Sequence, residues 1–362
     1  MKSLSFSWDN MFINQLSCSK FINPFLGING DRGFNVKNSV FNGFLSNALI
    51  IEQNCQNYQL ITERDSFVVL IENTYFKDIL SATAGGSFYF LNDAMNLMIT
   101  KCHFVNSRST GSASYGTRAD AGGGGFCSVS KRAFFSKLCF SNCSSVKVGP
   151  VFYSQVPSGS KQEYNDSTMV LCSTSLHNSW SQDWGYIHNE NLNGTYLYTS
   201  NGNACGYRVT SDGCCVKYSH FFNCTAKGNT YGIIGDYSPS SVQCNVDHCN
   251  FIRNFGDKSI ICIYSSSSIV TIIKRTSFID NVAPNPVTYT NAKPQFIECW
   301  GQFSFSTAQG SFTNCNFNNF LQTHSFNIDF CECNLAKSTF NYQMFFPNSY
   351  YLYFAVFCMC LH

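Results

Sequence analysis

The chain is poor in charge, poor in proline and lacks any sustained helical period. Only 12% of its 362 residues are charged, about half the usual share of a soluble domain. Net charge is +2 and the basic residues are scattered. That leaves no basic stripe with which to neutralise phosphates, and nucleic acid is not an expected partner. Eight prolines, none gathered into a linker, do not divide the chain. The short apolar runs never repeat at 3.6 residues over a helix length. The C-terminal run Tyr350–Leu361 has 12 residues, whereas a spanning helix needs about 20. Met1–Asn10 is polar and has no apolar centre of a secretory signal. Residues 1–341 therefore read as one solenoid domain that opens in mid-coil. Residues 342–362 read as an apolar tail, either a cap or a partial anchor through which the chain associates with a membrane.

What is abundant is aromatic and thiol: 16% aromatics, 35 Phe and 20 Cys. The Phe residues are patterned. An apolar residue is followed five positions later by Phe, once by Leu, at Leu16/Phe21, Val36/Phe41, Ile71/Phe76, Ile99/Phe104, Phe135/Phe140, Leu171/Leu176, Val216/Phe221, Val246/Phe251, Ile273/Phe278, Phe312/Phe317 and Leu335/Phe340. Ser, Thr or Cys usually stands two before the second anchor, and Asn or Asp one to three after it. Successive anchors lie 20 to 45 residues apart. A short motif at elastic spacing is the signature of a solenoid whose coils share a wall and differ in their loops.

Within Leu97–Asn106, Leu97 and Ile99 share one face of a strand, as do Cys102 and Phe104. The three-residue step from Ile99 to Cys102 breaks the alternation. A two-residue bend between strands keeps all four side chains inward. Gly-rich or Ser-rich turns then lead to a further strand, as at Gly85–Phe90, Gly149–Tyr153, Gly185–Ile187 and Ser259–Ile263. The expected fold is all-β: a right-handed parallel β-helix of about eleven irregular coils with little or no helix. A β-propeller would show a steadier period of about 40 residues. The predicted ladder core is Phe21, Phe41, Phe76, Phe104, Phe140, Leu176, Phe221, Phe251, Phe278, Phe317 and Phe340.

Units of the form apolar-x-x-[Cys/Ser/Thr]-x-Phe-x-Asn, with Gly-Gly-apolar runs between them, resemble the right-handed β-helix surface proteins of some protists. They also resemble the repeats of bacterial polymorphic outer-membrane proteins and, more distantly, the pectin-lyase-like superfold. The resemblance spans about residues 10 to 341. It implies architecture more than chemistry, because this superfold hosts lyases, hydrolases, adhesins and inert scaffolds.

The cysteines admit three readings: buried thiols acting as small apolar side chains, disulfides involving Cys214-Cys215 and Cys331-Glu332-Cys333, or a zinc site. The last lacks paired CxxC motifs, and Cys244, His248 and Cys249 do not converge on one strand; no metal or cofactor is expected. Catalysis on such a wall needs clustered carboxylates. Acidic groupings are few: Arg64-Asp65, Arg118-Ala119-Asp120, Asp247-His248 and Asp329–Glu332, each read as a bend or loop, so no catalytic residue is assigned. Gly122–Gly125 is followed by no Lys-[Ser/Thr] at P-loop spacing and reads as a flexible turn. Counted out from buried apolar positions, Tyr153, His188, Asp236, Tyr264 and Tyr289 form a candidate binding stripe on one wall. Of the sequons, Asn165 and Asn193 fall in apparent long loops and are the candidate glycosylation sites.

The expected function is non-enzymatic: adhesion or structural display at the cell surface or outside the cell. Loops around Ser107–Ala121 and Asn178–Asn203 would contact glycans or host and cell-surface proteins. The alternatives are a pectin-lyase-like carbohydrate-active enzyme and a degenerate fragment without a function of its own.

Overall fold

The computed structural model describes residues 10–317, apart from 30–32, 53–66, 112, 116–117, 175–178, 203–205, 211, 229–231, 239–241, 266–269, 292 and 303–309. The described residues contain strands, turns and bends and no helix. The chain winds as a parallel β-solenoid. A coil contributes a pair of strands to a first wall and a strand to a second wall, and seven of the described coils add a short strand to a narrow third wall. In the first wall the run Phe67–Glu72 pairs in parallel with Met95–Thr100, and that strand with Arg132–Ser136. The second wall stacks Leu49–Glu52, Phe88–Leu91, Phe126–Val129 and Phe152–Gln155 in the same way.

The bend inside the first wall explains the motif. Its second residue takes a left-handed conformation coil after coil: Asn38, Asn73, Lys101, Lys137, Asp166, Asn191, Tyr218, His248 and Arg275 all have φ between 45° and 55°. This turns the next side chain inward, within reach of the carbonyl two residues before it, which also accepts a backbone N–H from the neighbouring coil, as Glu72 O does from Asn38 at 3.1 Å. The small residue at the inward position caps that carbonyl. Ser39 donates to Lys37 O at 2.7 Å, Thr74 to Glu72 O at 2.9 Å, Cys102 to Thr100 O at 3.2 Å and Ser219 to Lys217 O at 2.8 Å. Several of these atoms also accept a backbone N–H from the preceding coil, as Ser167 does from Leu138 at 3.0 Å. Ser, Thr and Cys interchange here because each is short and can both donate and accept. The thiols are thus hydrogen-bonding groups as well as packing.

A second left-handed corner follows each Phe by two residues, at Asp78, Asn106, Asn142 and Asn223 among others. Asn tolerates this conformation, and its amide stacks between coils. Asn142 donates to Asn106 Oδ1 at 2.9 Å, and Asn106 to Asp78 Oδ1 at 2.7 Å. One position further on, Asn254 and Asn281 face inward and join each other at 3.0 Å.

The predicted Phe rungs Phe41, Phe76, Phe104, Phe140, Phe221, Phe251 and Phe278 are fully buried and in register. Neighbouring rings stack at 5.3 Å for Phe41–Phe76, 5.2 Å for Phe76–Phe104 and 4.7 Å for Phe104–Phe140. Phe317 packs edge-on against Phe312 at 5.8 Å. Phe21 is corrected: Cys18 pairs with Phe41 on this rung, and Phe21 sits past the second corner, stacked on Phe44 at 5.1 Å. The Leu171/Leu176 unit is also corrected. Leu171 is itself a corner residue (φ 55°) and 52% exposed, and the rung beside Phe140 is Met169. Leu176 and Phe340 lie outside the described residues. Gly194 and Gly301 occupy rungs that lack a ring. Where Met169 and Gly194 thin the ladder, Trp180 reaches from the second wall to 6.1 Å from Tyr164 and 6.2 Å from Phe221. Gly206, next in register, makes room: a Cβ there would stand 2.3 Å from the Trp180 ring.

These rungs also correct the loops. Asn178–Asn203 contains a full coil, with strands Trp180–Asp183, Tyr186–Thr195 and Tyr198–Thr199. The stretch after Ser107 does carry an insertion, in which Ala113–Tyr115 and Arg118–Ala121 pair antiparallel. Gly122–Gly125 is a packed corner and not a flexible turn. All four glycines are buried, and a Cβ on Gly124 would meet the Pro150 carbonyl at 2.2 Å. Arg64-Asp65, Asp329–Glu332, the Cys331-Glu332-Cys333 group and the tail 342–362 lie outside the described residues, as do residues 1–9.

Candidate functional site

Along a strand, side chains alternate between lumen and exterior, so parity decides which stripe residues can meet a ligand. On the second wall, Phe152, Trp180, Ile234, Ile261 and Val287 share one register column and face the lumen. Tyr153 is one residue on and faces outward, yet it is covered completely. Its hydroxyl lies 2.9 Å from Asp183 Oδ2 and 2.8 Å from Gln155 Oε1. Asp236 is two residues on and faces the lumen, 1% exposed. Tyr264 is three residues on and faces outward. It stands in register with Tyr237, which is 39% exposed. The stripe is therefore corrected. Tyr237 and Tyr264 form an outward pair on adjacent coils, while Tyr153 and Asp236 are buried.

Tyr264 and Tyr289 both line a cavity of about 290 Å³ at the end of the described second wall, Tyr264 from the outward column and Tyr289 from the lumen-facing one. Lys258, Asn285, Thr288 and Thr290 supply its polar lining, and Cys262 and Val287 the rest. Thr288 Oγ1 is 3.0 Å from both Ser259 Oγ and Cys262 Sγ, which fixes the floor. Burial pushes the Cys262 thiol up. The Tyr264 phenol, an ammonium and several hydroxyl and amide groups line this concavity, while Tyr289, in register with the buried Ile263, packs against the core. Such a mixture orients a polar ligand that has apolar faces.

His188 belongs to the first wall, in the strand Tyr186–Thr195, because Gly185–Ile187 opens a first-wall strand and not a second-wall one. It faces outward in register with Cys215. The Cys215 Sγ is 3.0 Å from His188 Nδ1, and His188 Nε2 is 2.9 Å from Glu190 Oε2. The bond to Cys215, reinforced by Glu190, raises the imidazole above its ordinary range despite partial burial. Nothing in the sequence spacing of 188, 190 and 215 announces this cluster, since the register that unites it depends on the coil hidden by Gly194.

Glu72, Glu163 and Asp247 of this wall are engaged by bases. Glu72 meets Lys37 at 3.0 Å and Lys101 at 3.7 Å. Glu163 meets Lys161 at 2.8 Å. Asp247 meets Lys274 at 3.3 Å, Arg275 at 3.2 Å and His248 at 2.9 Å. Among the described residues, Cys214, Asp236 and Cys244 bring three potential ligand atoms within 4.8 Å inside the lumen. Cys214 and Cys244 are joined there in a disulfide, Cα–Cα 4.6 Å, which removes the thiolates a metal would need. Cys215, expected to share in the disulfides with Cys214, points the opposite way.

Asn165 and Asn193 are corrected as loop residues: each lies inside a ten-residue first-wall strand. Asn193 is 7% exposed and its Oδ1 accepts from Thr195 at 3.1 Å. Among the described residues no helix is long and apolar enough to cross a membrane. Comparison with family models, with curated proteins and with solved structures finds no match.

Proposed function

We propose that the chain is a non-enzymatic surface-displayed β-helix that binds glycans on the outer face of its second wall. The observation that carries the reading is the in-register pair Tyr237 and Tyr264 beside the cavity lined by Lys258, Asn285 and Thr288. Adjacent coils lie about 4.8 Å apart, so the pair presents a two-ring platform on which a saccharide rests its apolar face. The neighbouring hydroxyls and amide take its hydroxyl groups. The packed lumen beneath Tyr237 and Tyr264, with Ile234, Ile261 and Ile263 buried, holds this platform rigid, so little conformational entropy is lost on binding. The likeness of the repeat to protist surface proteins supports display, and the base-paired state of Glu72, Glu163 and Asp247 fits a scaffold better than a hydrolase.

The test is titration of the full chain with a panel of neutral oligosaccharides, using Tyr264→Ala and Tyr237→Ala as variants. Binding that weakens by about tenfold or more in each variant is expected. Absence of binding across the panel, or binding by both variants as tight as that of the unaltered chain, overturns the reading. Labelling intact cells with a membrane-impermeant reagent tests display separately; a chain that remains unlabelled removes it.

A further inference from the structure

We propose that Cys215 is a reactive thiol on the outer first wall, activated by His188 and oriented through Glu190, whose substrate is a small hydroperoxide. The inference stands apart from the glycan reading, because the second wall contributes none of these residues.

The geometry sets the roles. With Nε2–H donating to the Glu190 carboxylate at 2.9 Å, the neutral imidazole must leave Nδ1 as its acceptor. Nδ1 is the atom 3.0 Å from Cys215 Sγ. The thiol proton therefore has a base aimed at it, and the carboxylate behind that base stabilises the imidazolium formed. Tyr186 Oη stands 3.8 Å from the sulfur. Burial and the neighbouring Cys215 and Glu163 charges push that phenol up to about 12, so it stays a hydrogen-bond donor to a thiolate. Further along the same strands, Glu190 is in register with Lys217, and Lys217 with Asp247. The charged groups facing the thiol are thus His188, Glu190, Glu163, Lys217 and Asp247.

Other thiols of the chain are held differently. Cys102, Cys224 and Cys249 donate to backbone carbonyls inside the lumen, and burial pushes Cys127 and Cys172 up. Cys215 has an imidazole in place of a carbonyl. Its 2% exposure admits a two-atom electrophile far more readily than an acyl group. The step balances as follows. The thiolate attacks one peroxide oxygen, the S–O bond forms and the O–O bond breaks. The departing hydroxide, or the alkoxide of an alkyl hydroperoxide, takes the proton from His188 and leaves as water or alcohol. Cysteine is oxidised to sulfenic acid by two electrons and the peroxide is reduced. Cys214 faces inward and is bonded to Cys244, so this sequence neighbour does not resolve the product.

The test uses the full chain, brief hydrogen peroxide treatment, and site-resolved mass spectrometry of one-oxygen addition. Cys215 is expected to oxidise about tenfold or more faster than Cys249 at neutral pH, with a pH midpoint below the ordinary thiol value of about 8.5. His188→Asn is expected to slow it by about 10²-fold and to move the midpoint upward. Glu190→Gln, a change at the surface that keeps the fold, should move it part of the way. Oxidation of Cys215 no faster than Cys249, or a midpoint unmoved by Glu190→Gln, overturns the proposal even if His188→Asn fails to fold.

Discussion

The hydroxyl of Ser219 accepts the backbone N–H of Leu192, 27 residues earlier, at 3.1 Å and donates to the carbonyl of Lys217 at 2.8 Å. One buried atom thus serves a backbone group in each of two coils. Ser219→Ala leaves the buried Leu192 N–H unmet and should lower stability by about 1–3 kcal/mol in urea unfolding. Ser219→Cys should recover part of that, because Cys249 plays the same role one coil on, donating to Asp247 O at 3.4 Å. Equal loss for Ala and Cys would show that a thiol cannot stand in for the hydroxyl at this position.

The same relationship explains how far the sequence could be read. Apolar–small–Phe spacing is a backbone requirement repeated in each coil, so wherever Phe filled the rung, as at Phe76 and Phe251, the unit was visible. It vanished where the rung was met otherwise. Met169 keeps the volume without the ring, and Gly194 leaves its space to Trp180, a residue of another wall. The coil holding Tyr186–Thr195 therefore passed for a loop, and with it Asn193 and the true place of His188. Stripe residues failed for a different reason. A strand's side chains alternate, so an error of one residue swaps lumen for solvent, as it did between Asp236 and Tyr237. The contacts of Cys215 depend on which coils are neighbours, which local pattern does not encode.

Trp180 and Gly206 are predicted to be coupled. Trp180→Ala empties the space between Tyr164 and Phe221 and should cost about 3–5 kcal/mol. Gly206→Ala drives a methyl into the indole, 2.3 Å from its nearest ring atom, and should destabilise by about 1–3 kcal/mol. Combining Gly206→Ala with Trp180→Phe should cost less than the two single changes together, because the smaller ring yields the space. Strict additivity in a double-mutant cycle would place the methyl elsewhere.

The disulfide Cys214–Cys244 ties neighbouring coils across a separation of 30 residues. Replacing both with Ser should lower stability by about 2–4 kcal/mol. Chemical denaturation with and without reductant gives the check. Reductant should lower the midpoint of the native chain more than that of the double variant.

Acid should weaken the fold in a window set by histidine. Burial pushes His220 down to about 4 and pushes His103 down as well, against about 6.5 for an unfolded histidine. Between those values the unfolded chain binds more protons than the folded one, so stability rises with pH there. The His220 contribution is complete above about 6.5 and is lost as pH falls towards 4. His188 works in the opposite sense. Its raised value means that stability from its charged form is present below the ordinary histidine range and is lost as pH rises through the folded value. His220→Phe should flatten the acid limb of a pH–stability profile and leave the limb owed to His188 in place; His188→Asn should do the reverse. A profile in which His220→Phe leaves the slope between pH 4 and about 6.5 unchanged would mean that the imidazole is solvated in the native state.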